Sequence, residues 1–119
     1  MDEKDWQQYL ASAREAGDRV REGEYLAGLG SYYANTGRYS EAIETLSAAI
    51  RQLQDAGAPQ LAPSACKNLA SVYEMVYHDL PTAARYIQMG ADMASPQDSR
   101  KEEYGKWAAD LRERAKRGG

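Results

Sequence analysis

The chain holds one thiol and one imidazole, Cys66 and His78. Those groups could act as nucleophile and base, with the imidazole taking the thiol proton across about 3 Å. On one continuous helix the two would stand about 18 Å apart, too far for proton transfer. Glu41 with Glu44, and Glu102 with Glu103, are of a type that does acid–base work, but at helical spacing they read as solvated charges. Gly28 and Gly30 lie inside a helical pattern and lack the strand that precedes a phosphate loop. No metal set surrounds His78. The reading is of a protein that is not an enzyme and uses no cofactor or metal.

Composition narrows the partners. The net charge is −3 over 119 residues. Residues 1–97 carry eight Lys or Arg against thirteen Asp or Glu, and residues 98–119 carry seven against five. A mildly acidic body argues against nucleic acid, whose domains usually cluster cations on one face. The basic end, Arg112 to Arg117, reads as a solvated last turn whose cations complement the helix dipole. No apolar run approaches the 18 or so residues that span a bilayer, and the acidic start Met1–Asp5 is not followed by the apolar stretch of a secretory signal. A soluble protein without a membrane partner is expected. A single cysteine makes no internal disulfide, which suits a reducing compartment, the cytoplasm.

The elements that would position any site are all helical, because periodicity near 3.6 dominates and no segment alternates like a strand. Six helices fit. The first runs from about Asp5 to Ala16, with Trp6, Tyr9, Leu10 and Ala13 on one face, and stops at Gly17-Asp18. The second covers about Arg19 to Asn35 and closes at Thr36-Gly37. The third begins at Ser40 as cap and continues to about Ala56, with Ala42, Ile43, Leu46, Ala49, Ile50 and Leu53 as its apolar stripe. After the Gly57-Ala58-Pro59 turn, the fourth runs from Pro63 to about Tyr77. The fifth starts near Pro81 and reaches about Ala94, where Ser95-Pro96 stops it. The sixth opens at Ser99–Glu102 with a capping-box pattern and carries Tyr104, Trp107, Ala108 and Leu111 on one face.

These helices repeat. Leu26-Ala27-Gly28-Leu29-Gly30-Ser31-Tyr32-Tyr33 is echoed forty residues on by Cys66-Lys67-Asn68-Leu69-Ala70-Ser71-Val72-Tyr73, and each copy runs into a second helix, with Ala42 and Leu46 or with Ala83 and Ile87. A period of about 20–50 residues marks stacked units that bury their apolar faces against one another. Shifted by forty, Trp6 falls on Leu46, Leu10 on Ile50 and Ala13 on Leu53, so the first helix looks like the second half of an earlier unit. The expected fold is an all-α short α-solenoid in a single domain. Residues 1–17 form an N-terminal half-repeat, 18–57 and 58–95 the two repeats, and 96–119 a capping helix.

Leu26, Leu29, Gly30, Tyr33, Gly37, Tyr39, Ala42, Leu46 and Ala49 resemble the tetratricopeptide repeat, with Leu26 in the place of its tryptophan. The second copy keeps Leu69, Ala70, Tyr73, Ala83 and Ile87, has Tyr77 where Gly37 stood, and has one extra residue in its turn. The spacing of forty looks like the longer-repeat subclass. The resemblance makes Gly30 and Ala70 close-approach positions, puts Tyr33 and Tyr73 between units, and leaves Cys66 a packed residue in place of the family's aromatic.

The resemblance also implies function, since in this family the first helices of successive units line a concave groove. In this chain the matching face holds Glu24, Ala27, Ser31, Ala34 and Asn35 on the second helix and Ser64, Lys67, Asn68, Ser71, Glu74 and Met75 on the fourth. Lys67 is followed one turn on by Ser71, matched in the first copy by Ala27 and Ser31, so a clamp for a terminal carboxylate is not implied. The expectation is a protein–protein interaction scaffold that takes a peptide or helical segment of a partner protein. The alternative is self-assembly into a homo-oligomer through end helices carrying Trp6 and Trp107.

Overall fold

The computed structural model describes residues 1–118, so Gly119, the last residue of the expected capping segment, lies outside the described residues. Six helices follow in order: α1 Glu3–Ala16, α2 Arg19–Asn35, α3 Tyr39–Asp55, α4 Pro63–Met75, α5 Leu80–Met93 and α6 Arg100–Lys116, with a single 3-10 turn at Pro59–Leu61. The described residues contain no strand.

Local chemistry accounts for most boundaries. The Asp2 carboxylate accepts from the Asp5 amide at 3.0 Å, and Asp5 returns the bond to the Asp2 amide, which starts α1 two residues ahead of the expected Asp5. Asp18 and Asp79 cap α2 and α5 in the same manner, accepting from the amides of Arg21 and Thr82. Glycines in the left-handed region close α1, α2 and α3: Gly17, Gly37 and Gly57, with φ of 68°, 80° and 76°.

The structure corrects four of the expected boundaries. Ser40 does not cap α3, which begins at Tyr39 and has no side-chain cap. Ser99 makes no capping box. Asp98 replaces it, accepting from the Arg100 amide at 2.9 Å while its carboxylate forks with the Arg100 guanidinium. Helix α4 ends at Met75 rather than Tyr77, because the chain turns through His78 at φ 53°. Helix α5 ends one residue early, with Ala94 extended ahead of Ser95-Pro96. Lys101 then reaches back from α6 to the carbonyls of Ala91 and Ala94 at 2.9 and 3.3 Å, placing a cation on the negative end of α5.

Consecutive helices pack against one another as a short solenoid, and α2 also touches α4. Leu10, Leu29, Tyr33, Leu46, Ile50, Leu53, Cys66 and Leu69 form one core cluster, and Ala70, Ala83, Ile87, Tyr104, Ala108 and Leu111 form the next. Tyr73 and Tyr86, stacked at 5.6 Å, pack against both. The close approach expected at Gly30 is present: a Cβ there would lie 2.5 Å from Leu46 Cγ. Both ends are finished with polar faces, Lys4, Gln7 and Gln8 on α1 and Glu102, Lys106 and Glu113 on α6, all exposed. Trp6 and Trp107, the aromatics on the end helices, are half-buried against the two clusters.

Candidate binding groove

Helices α2 and α4 lie side by side, and a cleft of about 230 Å³ runs between them. Its walls are Glu24, Ala27, Gly28 and Ser31 from α2, Ser64 and Asn68 from α4, and Leu61 from the 3-10 turn. Five of the sequence-derived contacts therefore come together: Glu24, Ala27, Ser31, Ser64 and Asn68. Helix geometry explains the grouping, since residues three, four and seven apart share a face and Leu29, Gly30 and Tyr33 turn the opposite face into the core. The floor is polar, with Asn68 Nδ2 donating to Ser31 Oγ at 2.6 Å from one repeat to the other. That bond leaves the Asn68 carbonyl oxygen, its second N–H proton and the Ser31 hydroxyl proton for a ligand.

The remaining candidates lie elsewhere. Lys67 is exposed on α4 and does not line the cleft, nor does half-buried Ser71. Glu74 is committed to α6: it accepts from Trp107 Nε1 at 3.1 Å and from Arg114 Nη1 at 3.0 Å. Met75, 73% exposed, sits at the last turn of α4 beside the exposed Tyr77. Ala34 packs against the first core cluster. Asn35 lines a second cleft with Met1, Trp6 and Tyr32, which shares Gly28 and Ser31 with the first.

Sequence reasoning missed Gly28 and Leu61. Gly28 belongs to the same helical face as Glu24 and Ser31 and was legible from spacing, whereas Leu61 arrives through a 3-10 turn that periodicity does not register.

The groups considered for chemistry are kept apart. Cys66 is fully buried, and burial pushes its thiol up to about 12, so it stays protonated at neutral pH. His78 is exposed in the α4–α5 turn. Among the described residues no group of three or more His, Cys, Asp or Glu is disposed to hold a metal ion, and no helix is long and apolar enough to cross a membrane. Comparison with family models, with curated proteins and with solved structures finds no match.

Proposed function

We propose that this chain is a binding module of the tetratricopeptide-repeat kind, with long repeats, and that it holds a segment of a partner protein against α2 and α4. One observation carries the reading: Glu24, Ala27, Ser31, Ser64 and Asn68, named from the repeat pattern, line one cleft whose Ser31–Asn68 floor offers unused donors and an acceptor. A role without catalysis is supported by the buried, protonated Cys66 and its separation from the α4–α5 turn that holds His78. One unpaired cysteine suits a reducing compartment such as the cytoplasm.

A photo-crosslinking residue at Ala27, compared with one at exposed Ala109 on α6, tests the reading in the native host. One protein captured from Ala27 and not from Ala109, with capture lost in Ser31→Trp or Ser64→Glu, is the expected result. Equal capture from both positions, or capture that survives both cleft substitutions, would overturn it.

A further inference from the structure

The cleft between α2 and α4 continues beyond α2. A second cleft of about 250 Å³ opens on the other flank of that helix, walled by Met1, Trp6, Tyr32 and Asn35. Gly28 and Ser31 belong to both. Ser31 has a short side chain, and the space beside Gly28 is taken by the Trp6 ring, so the low point of α2 where the clefts meet is at Ser31. The Trp6 ring lies over Gly28 so closely that a Cβ added there would run into it, which holds the indole at the edge of this saddle.

We propose that the saddle carries an extended segment of a partner protein obliquely across α2, with an apolar side chain against Trp6 and Tyr32 and a Lys or Arg beside Glu24. This rests on the peptide-binding reading above and adds the path and the chemistry of the occupant. Glu24 is the one charged side chain lining either cleft, it is exposed, and it has no ion-pair partner among the described residues. The opposite cleft offers an indole, a phenol ring and a thioether, a wall suited to an aliphatic group. An extended strand laid across the saddle can bond to Ser31 and Asn68 through its backbone. Glu24 and Tyr32 are about 12 Å apart along α2, which an extended chain covers in about four residues.

The test titrates two blocked peptides into the intact, isotope-labelled protein: acetyl-Gly-Leu-Ser-Gly-Ser-Lys-Gly-amide, and the same peptide with Glu in place of Lys. The lysine peptide is expected to move the Trp6 indole, Ser31 and Asn68 side-chain signals saturably at millimolar concentration. The glutamate peptide is expected to bind about two- to fivefold more weakly, the factor an exposed ion pair supplies. Glu24→Gln, an exposed substitution, is expected to bring the two peptides level. Equal binding of both peptides to the unaltered protein, or no saturable shift with either, would overturn the proposal. Shifts at Ser31 and Asn68 with Trp6 unmoved would overturn the crossing path while leaving the α2–α4 groove standing.

Discussion

The phenolic hydroxyl of Tyr33 donates to Glu3 Oε1 at 2.8 Å, joining the end of α2 to the start of α1. Arg38 completes the junction. Its Nη1 donates to Glu3 Oε2 at 2.6 Å, its other nitrogens fork onto Glu41, and its guanidinium lies 4.5 Å from the Tyr33 ring centroid. Helix α1 is thereby tied to the α2–α3 hairpin by charge as well as by Trp6 and Leu10.

Acid should loosen this junction. Hydrogen bonding to Arg38 holds the Glu3 and Glu41 carboxyls below their ordinary value of 4.5. A folded-state value below the unfolded one gives stability that is full above about pH 4.5 and is lost as pH falls through the folded values. Denaturant midpoints measured from about pH 6 down to about pH 3 should therefore drop more steeply for the native chain than for Arg38→Met. Parallel curves would show that the junction contributes nothing.

Gly30→Ala should destabilise by about 1–3 kcal/mol, because the added methyl meets Leu46 Cγ at 2.5 Å and the Leu46 backbone nitrogen at 3.1 Å. Leu46→Ala removes the γ-carbon that the methyl meets, so the double mutant should cost less than the two single changes together. Strict additivity in urea titrations would contradict the packing described.

His78 is the one non-glycine with positive φ among the described residues, and it lies one residue beyond Tyr77, which stands where the first copy has Gly37. A side chain in that region costs roughly 1–2 kcal/mol, partly offset for glycine by the freedom it returns to the unfolded chain. His78→Gly should accordingly raise stability by about 0.5–1 kcal/mol and His78→Val should lower it. A destabilised glycine variant in thermal melts would count against a left-handed turn.

Native Cys66 should resist a thiol reagent at about pH 8, since its thiol is buried and pushed up to about 12. Labelling should proceed only as the protein opens and should accelerate in step with added denaturant. Rapid labelling of the folded protein would mean that α5 does not cover α4.

How far the sequence reaches can be judged residue by residue. The all-helical class, the period of forty, and the glycine stops at 17, 37 and 57 were legible, because turn chemistry and periodicity 3.6 depend on neighbours in sequence. Cap assignments were less secure. Ser40 and Ser99 have the right chemistry, yet the helices begin with Tyr39 and with Asp98 serving Arg100, a choice between adjacent residues that differ little in free energy. Spacing put Glu24, Ala27, Ser31, Ser64 and Asn68 on outward faces, and those five share a cleft.

Asn68 and Glu74 lie about 120° apart around α4, at the two margins of its outward face, and spacing could not say which margin stays open. The difference comes from what lies opposite: Asn68 faces Ser31 of α2, while Glu74 meets Trp107 and Arg114 of α6. The sequence alone determined which face of each helix turns outward, because side-chain direction follows from position along a single helix. Only the tertiary structure decided which outward residues remain open and which are taken, because that depends on how neighbouring helices are rotated and offset, and packing across the whole chain sets both.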